Sequence, residues 1–256
     1  DPAIESLQSR LQGTPADTGL YLHTSPEFFM KRLLAAGSGP VYQLCHVFRN
    51  GELGRRHNPE FMMLEWYRPG MDHHALMDEV DSLLASLFEG VYDYTPARRM
   101  TYRQWFVDET GLDPWLDRVV AFREFAEARL GPAPAGMPDD RLDPWLDLLV
   151  SLWLEPRLGS DPVFIYDYPP GQASLARIRR QPDPVAERFE LYVNGVELAN
   201  GFHELTDADE QRSRFEADNH SRQLAGQARL PADAGLLNAP DHGITAPARF
   251  PPGFGR

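Results

Sequence analysis

A glutamate set inside an apolar strand limits what this chain can fold into. The stretch VYQLCHVFRNGELGRRHNPEFMMLEWY, Val41–Tyr67, reads as a strand, a charged loop and a second strand. In the second strand, alternation puts Phe61, Met63, Glu65 and Tyr67 on one face and Met62, Leu64 and Trp66 on the other. The latter set is expected to be a plain core face. The former places an acid and a phenol beside an aromatic, and a carboxylate there needs a cationic partner to offset its burial. That pattern suits a pocket wall better than a core layer. Arg49, at the end of the first strand, can grip a phosphate, and His57, Asn58 and Glu60 follow in the loop. Together these features suggest a site that holds a nucleotide beside an amine. The plain alternative is that Arg49, Arg55 and Arg56 solvate a long loop while Glu65 sits on an edge strand.

At 256 residues the chain suits one large domain, or one and a half, with enough length for a substantial core. No run approaches the length of a membrane span, and DPAIESLQSR does not read as a signal peptide. Cys45 is the single cysteine, which excludes an internal disulfide framework and favours a reducing cytoplasm. Formal net charge is −13, and Lys31 is the only lysine, so nearly every cation is an arginine. Such a chain is a poor general binder of polyanions, and extended tRNA binding gains no support from its charge.

Thr24-Ser25-Pro26-Glu27 looks like a helix start, with proline and an acid in the first turn. The helix is expected to run to Gly37, after a short strand at Gly19–His23. Helices are expected over Asp72–Phe88, Tyr102–Phe106, Arg118–Leu130, Leu142–Leu158 and Asp207–Leu224. Strands are expected over Val163–Tyr168, Val185–Val193 and Val196–Asn200. Strands on both sides of a helical block, without βαβ alternation, favour an α+β fold with an antiparallel sheet. The helical block is an insertion at about 101–160.

A second constellation lies in RFELYVNGVELANGFHE. Arg188, Glu190 and Tyr192 alternate onto one face, and Asn194-Gly195 signals a tight hairpin. Glu190 and Glu197 then fall on neighbouring strands, close enough to share a hard cation such as Mg²⁺. The plain alternative is a hairpin with solvent-facing acids. Walker-type phosphate loops, dinucleotide fingerprints, His-Glu-x-x-His, paired-cysteine zinc patterns and Gly-x-Ser-x-Gly do not occur in the chain. A nucleotide site here has to use arginine and strand-borne acids.

The Val41–Tyr67 block, TSPEFFMKRLLAAG and ERFELYVNGVELANGFHEL resemble the class II lysyl-tRNA synthetase catalytic domain. Within that group QLCHVFRN, HNPEFMMLEWYRP and QASLARI look most like the elongation factor P–(R)-β-lysine lysyltransferases, truncated paralogues of lysyl-tRNA synthetase. The resemblance covers about residues 20 to 239. It implies a single class II aminoacyl-tRNA synthetase-like domain, an antiparallel sheet flanked by helices. The implied activity is adenylation of (R)-β-lysine with ATP and transfer to a lysine of elongation factor P, without tRNA or membrane. It also implies a homodimer in the cytoplasm.

Carried over by position, Arg49 binds the ATP α-phosphate as the catalytic cation and Phe61 stacks on adenine. Glu52, His57, Asn58, Glu197 and Leu198 line the ATP site, and Glu190 and Glu197 hold Mg²⁺. Ser25 and Glu27 hold the substrate's amino end, Glu65, Tyr67 and Glu204 surround its ammonium groups, and Asn200 touches it. Two departures stand out. Gly51 occupies the place of an acid in the family's Phe-Arg-x-Glu, with Glu52 next to it. The motif 1 segment and the Gly-rich motif 3 are not recognisable, and a Pro/Arg-rich ITAPARFPPGFGR, Ile244–Arg256, stands at the end, which reads as a truncated or frame-altered terminus. The rival readings are a lysyl-tRNA synthetase catalytic fragment and a catalytically inactive binding paralogue.

Overall fold

The structure is a computed structural model that describes residues 4–10, 12–13, 19–51, 53–54, 57–91, 93–224, 226, 228–230, 247–249 and 253–254. In chain order the strands and helices begin with β1 (Gln8–Ser9), β2 (Leu20–Tyr21), α1 (Glu27–Ala35), β3 (Val41–Phe48) and β4 (Glu60–Pro69). Next come α2 (His73–Phe88), β5 (Arg98–Thr101), α3 (Tyr102–Thr110), α4 (Val119–Leu130) and α5 (Asp143–Leu149). They are followed by β6 (Val163–Tyr168), β7 (Ile178–Arg179), β8 (Val185–Val193), β9 (Val196–His203), α6 (Ala208–Leu224), β10 (Pro247–Arg249) and β11 (Gly253–Phe254). The class is α+β. Two compact units divide the chain, Asp1–Met71 with Glu204–Arg256, and Asp72–His203.

In the first unit, β3 and β4 pair antiparallel over Val41↔Tyr67 to Phe48↔Glu60, and β10 and β11 also pair with β4. Helix α1 covers one face of the hairpin, where Met30 and Leu34 pack with Tyr67 and Val41. This corrects part of the expected core face: of Met62, Leu64 and Trp66 only Trp66, 7% exposed, is buried. Met62 and Leu64 are only half-buried, and two residues opposite that row, Tyr42 and Leu44, are 78% and 61% exposed. The face carrying Met63, Glu65 and Tyr67 is the more deeply buried one, because α1 lies on it. In α6, Gln211, Phe215 and Asn219 turn inward while the acids at Asp209, Glu216 and Asp218 stay exposed. Phe215 meets Phe28 of α1 edge to face at 6.3 Å.

In the second unit, β6, β8 and β9 are antiparallel neighbours, while β5 pairs with β6 in parallel. Parallel neighbours cannot be joined by a tight turn, so a crossover has to connect them. The helical segment from α3 to α5 is that crossover. Its end widens from α-helix into a π-helical turn at Val150–Leu154 and then tightens into a 3₁₀ turn at Glu155–Arg157, where Pro156 cannot continue the helical ladder. Asn194 and Gly195 turn β8 into β9 with φ of 54° and 65°, the left-handed pair that a two-residue hairpin requires. Trp105, Trp145, Tyr102, Phe106 and Phe122 from the crossover and Phe164 and Phe189 from the sheet are all fully buried.

Candidate active site

Four side chains of the first unit sit at or near zero exposure although they carry charge: Glu27 at 0%, Glu65 at 0%, Glu204 at 1% and Lys31 at 3%. Burying a carboxylate is costly unless cations or hydrogen bonds surround it. Glu65 accepts a hydrogen bond from the Tyr67 hydroxyl at 2.8 Å, two positions along the same strand face. Glu27 lies one helical turn before Lys31, whose Nζ approaches it at 2.8 Å and Glu204 at 2.6 Å. Burial alone would lower the Lys31 pKa, but Glu204 and Glu27 outweigh that and hold it above the ordinary lysine value. Ser25 belongs to the same turn, its hydroxyl accepting from the Glu27 amide at 3.4 Å.

Arg49 leaves the end of β3 beside this set. Its guanidinium lies 5.3 Å from the Phe61 ring centroid, and its Nε donates to the Thr24 carbonyl at 3.4 Å. A cation stacked on an aromatic at a strand end is a platform for a flat, anionic ligand. His57 and Asn58 are exposed in the loop that follows. Gly51 adopts φ of 78°, a left-handed conformation that strains any residue with a Cβ. Glu52 lies outside the described residues. Cys45 is partly buried, and burial together with Glu65 pushes its thiol pKa up.

In the second unit Arg188 organises the other set. It donates to Asn200 Oδ1 at 3.3 Å and to the Gln172 carbonyl at 3.0 Å, contacts Glu190, and lies 4.6 Å from the Tyr168 ring centroid. Glu190 also accepts from the hydroxyls of Tyr168 at 2.8 Å and Tyr192 at 2.5 Å. Burial, and then the Glu190 charge, push both phenols well above their ordinary pKa, so they remain donors. Glu190 faces Asn200 across the strands, whereas exposed Glu197 faces Tyr192. The pairs Leu191↔Ala199 and Tyr192↔Glu197 leave Leu198 as the extra residue of a bulge. Among the described residues no group of three His, Cys, Asp or Glu side chains could by itself hold a metal ion.

Sequence reasoning thus named both acids of the Lys31 cluster but not Lys31, and it named Glu190 but not Tyr168. The i, i+4 spacing of Glu27 and Lys31 is a weak signal, since it more often marks a solvated surface; Tyr168 gives none, because it reaches Glu190 from a neighbouring strand.

A strand–loop–strand hairpin with a terminal arginine and acids buried beside it defines a catalytic domain of the class II synthetase type. Residues 7–256 match the family of class II tRNA synthetases (D, K and N), and the chain belongs to that family. Its curated relatives include the elongation factor P–(R)-β-lysine ligase of Pectobacterium atrosepticum, 49% identical over 95% of this chain and 74% of its own length. The ligase of the same name from Edwardsiella ictaluri is 52% identical over 88% of this chain and 68% of its own. That from Erwinia tasmaniensis is 49% identical over 95% and 74%. No described helix is long and apolar enough to cross a membrane.

Proposed function

We propose that the chain activates (R)-β-lysine with ATP and transfers the β-lysyl group to a lysine of elongation factor P. The observation that carries this reading is the set of buried carboxylates Glu27, Glu65 and Glu204, which suits a substrate with two ammonium groups. Half-identity to ligases of that name supports it. The substrate carboxylate attacks the α-phosphorus of ATP, the bond to pyrophosphate breaks, and an acyl-adenylate forms. The acceptor amine then attacks the acyl carbon and AMP leaves.

In this reading Arg49 neutralises charge on the α-phosphate and Phe61 stacks on adenine, with His57, Asn58 and Leu198 lining the nucleotide. Ser25 and Glu27 hold the amino end of the substrate, Glu65, Tyr67 and Glu204 surround its ammonium groups, and Asn200 touches it. The oxygen donors Glu190 and Glu197 suit Mg²⁺, but Glu190 already accepts from Arg188, Tyr168 and Tyr192. A cage made of protein alone does not fit; the ion fits as MgATP, held by one or two carboxylates plus phosphate oxygens, where it offsets polyphosphate charge. A reducing cytoplasm, no tRNA and a homodimer complete the proposal.

Gly51, in place of an acid, favours a second reading: a paralogue that binds without catalysis. ATP–pyrophosphate exchange with (R)-β-lysine and with α-lysine, without tRNA, separates the two. Exchange favouring β-lysine supports the ligase; none with either amino acid, alongside measurable ATP binding, supports the binding paralogue.

A further inference from the structure

Lys31 is the only lysine among 25 lysines and arginines, and it sits at 3% exposure between two acids. Everywhere else the chain supplies positive charge with arginine. The geometry explains the exception. A tetrahedral ammonium is compact and has three donors, so one nitrogen can contact Glu27 at 2.8 Å and Glu204 at 2.6 Å. A planar guanidinium in the same space would push the carboxylates apart. The contacts tie α1, which carries Glu27, to the residue that follows β9, which carries Glu204.

We infer that Lys31 is a positioning and specificity-determining residue: its ammonium clamps Glu27 to Glu204 and so fixes the spacing of two carboxylates that receive the substrate's amines. This rests on the proposed function for the roles of Glu27 and Glu204. Each ionised carboxylate has about four lone-pair sites, so Lys31 stays in place when a substrate ammonium arrives. (R)-β-Lysine and α-lysine carry the same two amines at different separations. A fixed distance between acceptors tells them apart, whereas a pair of unclamped acids would adjust to either.

The test is calorimetric titration of the unaltered chain, Lys31→Arg, Lys31→Met and Glu204→Gln with (R)-β-lysine, α-lysine and MgATP, each protein checked for a cooperative thermal transition. Lys31→Arg keeps the charge and the fold if Lys31→Met does not. The expected result for Lys31→Arg is binding of (R)-β-lysine at least about tenfold weaker, the cost of a misplaced charged hydrogen bond. Its preference over α-lysine shrinks, and MgATP affinity stays within about twofold. Unchanged affinity and unchanged preference in Lys31→Arg, with Glu204→Gln impaired, overturn the role of Lys31 and leave the ligase reading standing. An unaltered chain that binds neither amino acid overturns both.

Discussion

Tyr67 and Glu65 act as a pair, since the phenol donates to a carboxylate that is out of reach of water. Tyr67→Phe leaves the acid buried with one donor fewer. We expect a loss of about 1–3 kcal/mol in urea unfolding and a higher KM for the amino acid in exchange assays, with the KM for ATP unchanged. Gly51 makes the opposite case. Restoring an acid by Gly51→Glu forces a side chain onto φ of 78°. The expected outcome is a destabilisation of about 1 kcal/mol with no gain in ATP affinity, read by thermal melts and titration. Glu65 was legible in the sequence because a charge interrupts an apolar alternation. Lys31 was not, because a Glu–Lys pair one helical turn apart usually marks a solvated surface, and Glu204 joins it from far along the chain.

Among the elements, those with a strong period or a sharp turn signal were the readable ones. Val163–Tyr168 forms a strand where a short apolar, aromatic run places it, and Val185–Val193 where the Asn-Gly turn ends it. The strand β5 was missed: Arg-Arg-Met-Thr has no period of its own and is extended because it pairs with β6. Helix α2 starts where Asp72 accepts from the Ala75 amide at 2.8 Å. Asp72→Ala should cost about 1 kcal/mol by urea titration. Asp167 joins α2 to β7, meeting His73 at 3.1 Å and Arg179 at 2.7 Å. Burial raises its carboxyl pKa, but hydrogen bonds from His73 and Arg179 bring it below the ordinary value. A lowered folded-state pKa contributes stability that is present above the unfolded value, about 3.9, and lost as pH falls through the folded one. Asp167→Asn, which tolerates the left-handed φ of 58° at this position, should flatten the acid limb of stability below about pH 4, followed by circular dichroism.

For the molecule as a whole, a net charge of −13 sets the choice of partners. Polyanions are repelled over roughly a Debye length, so excess bulk tRNA should leave the exchange rate with (R)-β-lysine unchanged at physiological salt. Inhibition that salt relieves would contradict this. The lone buried lysine has another consequence. An acyl-adenylate is a mixed anhydride, and any of it that leaves the site before transfer acylates accessible primary amines. A protein whose only side-chain amine is 3% exposed, with guanidinium groups at its other basic positions, offers such a leak almost nothing to mark. After many turnovers its intact mass should show no added β-lysyl group on a side chain, while a lysine-rich bystander in the same tube is decorated. The chain that makes the reactive mixed anhydride holds almost no side-chain amine for it to acylate.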